Sequence, residues 1–517
     1  MNEKFRSVIS HSSDDKIKIV YSWFGPRGPL WNTELPNILT FASSAEGVNP
    51  NMESRNFWTD DVWGKQFSKA KDKYELYPVH SIEGEDRRPF IYPFAMTWRV
   101  QFQQYFINKS GLFEFSHIPH WLIHLCRIGN GYILIDHSVE AFMSDVELDA
   151  MYSYFHEHHN LAMYKIIYLT GTVNATYVYE DYCKRKAIAN IREHRMHVIP
   201  YASSYDIFHN FVTHGYNANQ PVPTGDENSL GEVIDNVVEV VEPEYDVTVV
   251  PEKLFLSWNR RLRQHRVFLA LILENLGVVD RSYISFAKRS DENSAQTFDG
   301  YVSETKLHGD QLYGIHFTGK FSKEVVNKFS NRLPLVIDGE TDIHVMCEDF
   351  HFTKDFYTNS LVSLVTETNY DSVECTLTEK SFKPLFNKHP FLIVGAPGAM
   401  QGLRELGFKT FSDFWDESYD LISISSYRFT AIEKVLIEIA SWNDEQILSF
   451  KLRVKPILDH NYNMFKKSGA IPVTNNIYEH ITKNFNPEWT DWCNPSEGYC
   501  QHPSPIRGNN PNGPQYP

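Results

Sequence analysis

The sequence predicts an α/β protein built as two Rossmann-like domains with an extended C-terminal tail. Three observations lead there. Short apolar runs alternate with helix-length stretches in both halves, the grammar of a parallel sheet covered by helices. Composition shifts over 217–252, where NANQPVPTGDENSLGEVIDNVVEVVEPEYDVTVVPE combines Pro, Gly and a run of acids. From about Asn484 onward, Pro, Asn, Gly and Trp dominate. The expected organisation is an N-terminal Rossmann-like domain over 1–216, a partly β-prone linker over 217–252, a second Rossmann-like domain over 253–470 and a C-terminal extension over 471–517.

Residues 1–15 are polar. Ile17 to Trp23 reads as the first strand, Phe24 to Pro29 as a turn-rich loop and Asn32 to Ala42 as a helix. The loop holds Gly25 and Gly28 but has neither G-x-G-x-x-G nor a P-loop, so only its position at a strand end favours a ligand. Residues 45–95 lack periodicity and are expected to be irregular surface or an insertion. Two helical patterns span Phe94 to Ile128. Gly131 to Ile135 is an apolar strand that ends in Asp136, His137 and Ser138, with Glu140 close behind. Glu147 to His158 reads as a helix, Tyr164 to Leu169 as a strand, Ala175 to Ile188 as a helix and His197 to Pro200 as a short strand.

The second half opens on the strand Leu254 to Ser257. It delivers Asn259, Arg260, Arg261, Arg263 and Arg266 onto the start of a helix. Cations there oppose the helix dipole and repel one another. A bound anion would reconcile them, because guanidiniums and free N–H groups converge on phosphate. Further on, the apolar run Leu361 to Val365 ends at Glu367. Thr378 then caps a helix whose first turn holds Glu379 and Lys380. The strand Pro390 to Val394 turns on Gly395-Ala396-Pro397-Gly398 into another helix. Ligands bind at the carboxyl ends of such strands, so Glu367, Glu379, Lys380 and the Gly395–Gly398 turn are expected to gather at one edge.

The stretch from Glu367 to Gly398 resembles the donor-binding segment of fucosyltransferase-like glycosyltransferases. There a Glu-Asn pair precedes an aromatic-x-Thr-Glu-Lys run, and a strand ending in Gly follows. Here Glu367-Thr368-Asn369 stands for the first part, with Asn displaced by one. Thr376 takes the aromatic position, and Thr378-Glu379-Lys380 is intact. The continuation Leu403 to Phe411 and Asp416 to Asp420 is similar to a group of glycosyltransferase-like proteins, many of them viral. The resemblance spans about residues 254–462. It implies a GT-B-like pair of domains with a nucleotide sugar as co-substrate. Arg260 or Arg261 is then the counterpart of the arginine that holds the donor pyrophosphate. It further implies Asn259, Arg260, Arg261, Glu367, Thr378, Glu379, Lys380, Gly395 and Gly398 as donor-binding residues.

The chemistry expected is transfer of a sugar to an acceptor hydroxyl, with inversion. No D-x-D motif is present, which favours neutralising the leaving diphosphate with Arg260, Arg261 and Lys380 rather than a metal. An inverting reaction needs one general base. Asp136 is the first candidate, then Glu140 and His137, then Glu34. His156-Glu157-His158-His159 lacks the H-E-x-x-H spacing and reads as a helix-end cluster. Two rival functions stand beside this: a bacteriophage or other viral enzyme that glycosylates modified bases in DNA, and a non-catalytic structural or virion-associated protein that keeps the fold.

The net charge of −16 disfavours a broad nucleic-acid footprint. The six cysteines form no C-x-x-C pair, which suits a reducing compartment. No run approaches the roughly 18 apolar residues of a membrane span, and residues 1–21 hold no signal-peptide core. The expectation is a cytoplasmic protein of a bacterium, or of a virus in its host, without a membrane partner or a resident cofactor.

Overall fold

A computed structural model describes residues 16–21, 73–78, 89–95, 118, 120–138, 141–214, 242–259, 262–288, 297–307, 321–337, 352–467 and 473–484. They form an α/β fold with two sheets, within which every strand pairing is parallel. The first sheet takes β1 (Ile17–Tyr21), β2 (Tyr74–Pro78), β3 (Phe90–Ala95), β4 (Gly131–His137), β5 (Ile166–Thr170) and β6 (His197–Pro200). The second takes β7 (Lys253–Asn259), β8 (Ser282–Phe286), β9 (Ser360–Thr366) and β10 (Phe391–Val394). Strand order is β2-β1-β3-β4-β5-β6 in one and β10-β9-β7-β8 in the other. Each half therefore builds outward from its first strand and then reverses. The reversals fall between β1 and β3 and between β7 and β9, the crevices where open α/β sheets take ligands.

Parallel strands are buried on both faces, and β4 shows it. Ile133 and Ile135 join one apolar cluster, Tyr132 and Leu134 another. The first face is covered by α1 (His120–Ile128), α2 (Asp145–Tyr152) and α3 (Ala175–Arg185), through Leu122, Cys126, Leu148, Met151, Val178 and Tyr182. The second face is covered by the last described helix of the chain. In order, the remaining helices are α4 (Ser203–His214), α5 (Gln264–Asn275), α6 (Phe298–Leu307), α7 (Lys323–Ser330), α8 (Lys354–Thr358), α9 (Glu379–Phe386), α10 (Ala399–Glu405), α11 (Ser425–Ala440), α12 (Asp444–Lys467) and α13 (Val473–Asn484). It is α13 that sets Val473, Ile477 and Ile481 against Ile17, Tyr132, Leu134 and Leu169. At about 1.5–3 kcal/mol per buried aliphatic side chain, this contact is a substantial part of the first half's stability.

A reciprocal exchange completes the architecture. Helix α4 follows β6 in the chain, yet Ala202, Tyr205 and Phe208 belong to the core of the second half. The Tyr205 ring lies 4.9 Å from Phe382 and 5.8 Å from Phe408, and Phe208 lies 5.7 Å from Phe465. The extension after residue 470 thus begins with a helix that seals the first sheet, while the last helix of the first half seals the second.

The stretch 45–95, expected to be irregular, holds two strands. β3 is even central, between β1 and β4. Its sequence FIYPFA hid it, because a proline normally argues against an inner strand. The pairing explains the tolerance. β1 meets only Phe90 and Ile91, so the ladder on that side ends before Pro93 and its missing N–H. Phe94 and Ala95, expected to begin a helix, close this strand instead. The helix expected over Glu147–His158 starts at Asp145, and its last turn, Ser153–His158, widens to a π-helix. The described part of the linker, 242–252, contains no strand. The helix over Asn32–Ala42, the Gly25–Gly28 loop, residues 217–241 and the tail from 485 lie outside the described residues.

Candidate functional site

The β7/β9 crevice is built from the strand ends inward. Asn259, the last residue of β7, is buried, accepts from Thr366 Oγ1 at 2.8 Å and donates to Ser257 Oγ at 2.7 Å. This ties the carboxyl ends of β7 and β9 together. Arg266, in the first turn of α5, reaches across and donates to the Thr366 carbonyl at 3.2 Å. His265 Nε2 donates to the Glu367 carbonyl at 2.9 Å, and its ring stacks on Tyr370 at 5.4 Å. Burial, then the Arg266 charge, holds the His265 pKa well below the usual range, so this imidazole is neutral at physiological pH. The guanidinium of Arg428 also lies over the Tyr370 ring, 4.2 Å from its centroid. Arg428 also donates to the carbonyls of Ile422 and Tyr370. The loop leaving β9 is therefore clamped from α5 on one side and α11 on the other.

Glu367 is almost wholly buried, and its carboxylate faces the protein. It accepts from four donors: Thr378 N at 3.0 Å, Thr378 Oγ1 at 2.7 Å, Ser381 Oγ at 2.6 Å and Thr368 N at 3.3 Å. Its hydrogen-bonding capacity is spent on fixing the N-terminus of α9. Thr378 is the N-cap, its hydroxyl accepting from Lys380 N at 3.4 Å. Glu379 follows in the first turn and pairs with Lys380 Nζ. Burial pushes the Glu379 carboxyl up, but Lys380 and Lys383 outweigh it, so its pKa falls below the ordinary value. The Lys380 side chain is 27% exposed, which leaves its ammonium reachable from solvent.

The glycine turn after β10 also has a defined task. A Cβ on Gly395 would lie 3.2 Å from Glu367 Cβ, so the two strand ends touch there. Gly398 has φ +91 and opens α10. The amides of α10 are already matched to an anion from within the chain. Asp420 accepts from Met400 N at 3.1 Å and Gln401 N at 3.0 Å, and its carbonyl accepts from Gly398 N at 2.9 Å. Burial raises the Asp420 pKa, opposed by these amides and by Arg404. Helices α9 and α10 are thus each served by an internal carboxylate. At the start of α5 the N-cap residue is Arg263, whose carbonyl accepts from Arg266 N and Val267 N at 3.0 Å. Arg260 and Arg261 lie outside the described residues.

In the first half, Asp136 and His137 end β4 and are buried. Asp136 accepts from Ser138 N at 3.0 Å, a tight local turn. His137 Nδ1 shares a 2.8 Å hydrogen bond with Tyr168 Oη, which in turn accepts from Met143 N at 3.2 Å. Glu140 and Glu34 lie outside the described residues. Next to β4, the loop after β5 meets the loop before α9. Thr172 and Thr376 form a β-bridge, Val173 N donates to the Cys375 carbonyl at 2.7 Å, and Asn174 Nδ2 donates to the Val373 carbonyl at 2.7 Å. The carboxyl edges of the two sheets therefore meet.

Of the residues expected to gather, Glu367, Glu379, Lys380 and the Gly395–Gly398 turn, Glu367 adjoins Gly395 and holds the helix start that carries Glu379 and Lys380. Reading the sequence missed His265, Tyr370, Arg428 and Asp420. None of these carried a local signal, because their partners come from segments distant in the chain. Among the described residues no cluster of three or more His, Cys, Asp or Glu is arranged to hold a metal ion, and no helix is long and apolar enough to cross a membrane. Comparison of the chain with protein-family models, curated proteins and solved structures returned no match.

Proposed function

We propose that the protein transfers a sugar from a nucleotide-sugar donor to an acceptor hydroxyl, with the donor diphosphate in the β7/β9 crevice. What supports the reading most is the start of α5 at that crevice, where the sequence sets Arg260, Arg261 and Arg263 just before the helix. A helix N-terminus preceded by arginines is a setting that suits a diphosphate. Lys380 stands on the rim of the same edge, partly exposed and held by Glu379. Glu379 then orients the lysine, and Glu367 acts indirectly by keeping α9 in place.

Chemically, breaking the glycosidic bond builds negative charge on the leaving diphosphate. Cations already fixed at that point lower the barrier without having to reorganise. The acceptor approaches from the first half, whose carboxyl edge meets that of the second at the Thr172–Thr376 bridge. The base comes from the end of β4, from Asp136, His137 or Glu140. Transfer then proceeds with inversion, in one displacement.

Thermal shift tests the donor site directly, since a ligand that binds the folded form raises the melting temperature. UDP, GDP and their sugars are screened against the wild type, Lys380→Ala and Arg260→Ala/Arg261→Ala. The expected result is a shift of a few degrees for one nucleotide family, by about 3 kcal/mol of linkage at 100 times Kd, diminished in both variants. No shift with any nucleotide diphosphate at millimolar concentration would overturn the reading.

A further inference from the structure

The docking surface of α13 carries an arrangement that the sugar-transfer reading does not use. His480, on α13, stacks face to face on His197 of β6, with ring centroids 3.9 Å apart and planes 9° from parallel. His480 Nε2 donates to the Tyr164 carbonyl at 2.9 Å, and Asn484 Nδ2 approaches its Nδ1 at 3.5 Å. His197 Nε2 meets Asn476 Oδ1 at 2.8 Å. A carbonyl only accepts, so His480 carries its proton on Nε2 and presents Nδ1 as an acceptor. That is the neutral form.

Lys165 and Lys483 add positive charge to the surroundings of His480. From the turn before β5 comes Lys165, buried, donating to the Gly129 carbonyl at 2.8 Å and lying 4.4 Å from the Tyr132 ring centroid. From the 3-10 turn at Arg192–His194 comes Arg192, 4.3 Å from the Tyr164 ring centroid, with Glu193 at 3.4 Å as its acid. Tyr132 of β4 meets the His480 ring edge-on at 5.9 Å. At the β2 end of the helix, Lys73 donates to Asn475 Oδ1 at 2.7 Å and Tyr74 donates to the Thr474 carbonyl. On α13 itself, Lys483 follows and Glu479 is exposed.

We propose that the His197–His480 stack is an acid-sensitive latch that releases α13 from the first sheet. Protonating one ring sets a cation against its neighbour and beside Lys165, Arg192 and Lys483, and protonating both sets two cations face to face. The docked helix resists this, so protons bind preferentially to the undocked form and draw the equilibrium toward it. Burial, then the positive field of His197, holds His480 near a pKa of about 4, and burial likewise lowers His197. Undocking is therefore favoured as pH falls from about 6.5 toward 4. Release bares the apolar face of Tyr132, Leu134 and Leu169 and unlinks the first sheet from α12. The proposal assumes nothing about substrate.

Hydrogen exchange, corrected for the intrinsic rate, reads it. Between about pH 7.5 and 5.5, protection of α13 should fall roughly tenfold from His480 alone, while β7 and β9 keep theirs. His480→Gln, which retains a donor for the Tyr164 carbonyl, should cut that dependence, and His197→Asn/His480→Gln should flatten it. Protection that is flat in the wild type, an undiminished pH dependence in the double variant, or equal loss in β9 would each overturn the latch.

Discussion

Two buried side chains show how position and task separate at the residue scale. Glu367 sits where a donor-binding acid is expected, yet its oxygens are taken by Thr368, Thr378 and Ser381. Removing it strands buried donors, so Glu367→Ala should cost about 2–4 kcal/mol in urea unfolding. Lys380→Ala breaks one partly exposed pair and should cost no more than about 1 kcal/mol, while diminishing the donor-induced thermal shift. His389 makes a separate case. Its Nδ1 meets Ser363 Oγ at 2.8 Å and its Nε2 the Ser360 carbonyl at 2.9 Å, and burial lowers its pKa to about 4. Below about 6.5 the unfolded chain takes up a proton that the folded one refuses until about 4. Stability is thus lost across that window as pH falls, by on the order of 3 kcal/mol, and no further below it. A His389→Gln variant should remove this share of the pH dependence of the urea midpoint. An unchanged profile would show that the imidazole titrates freely in the fold.

Elements were legible where pattern and local chemistry agreed. The run Leu361 to Val365 lies within β9, Thr378 caps α9, and His197–Pro200 is β6 to the residue. Legibility failed at β2 and β3, whose short proline-bearing sequences become strands only because neighbours supply the ladder. Caps contributed from afar were equally hidden. Asp420 closes α10 from 20 positions away, and no local pattern announces such a distance. The cap has a measurable weight. Asp420→Ala leaves the Met400 and Gln401 amides bare and should lower stability by about 1–2 kcal/mol, with Asp420→Asn losing less. Gly398→Ala, at φ +91, should cost about 1 kcal/mol through backbone strain alone. Equal urea midpoints for wild type and Asp420→Ala would mean that solvent serves the helix as well as the carboxylate does.

At the scale of the whole molecule, the two halves were legible as halves but not as partners. Sequence periodicity reports which face of a helix is apolar, never which sheet will cover it. So α4 and α13 were assigned by chain position, whereas each packs into the other half's core. The consequence is mechanical. Opening the crevice as two rigid bodies would drag Tyr205 and Phe208 out of the Phe382, Phe386 and Phe465 cluster, or Ile477 and Ile481 off the first sheet. The halves also touch at Gly402, where a Cβ would come within 2.6 Å of Val173 Cγ2. A chain cut once within 217–241 should therefore remain one particle. After limited proteolysis there, both fragments are expected to co-elute from a sizing column and to unfold together in urea, because neither retains a complete core alone. Ending the chain before Val473 should instead bare one face of the first sheet, at about 1.5–3 kcal/mol for each of the three aliphatic side chains lost. Independent elution of the nicked fragments would show that the exchanged helices contribute little. The crevice would then be free to open by domain separation.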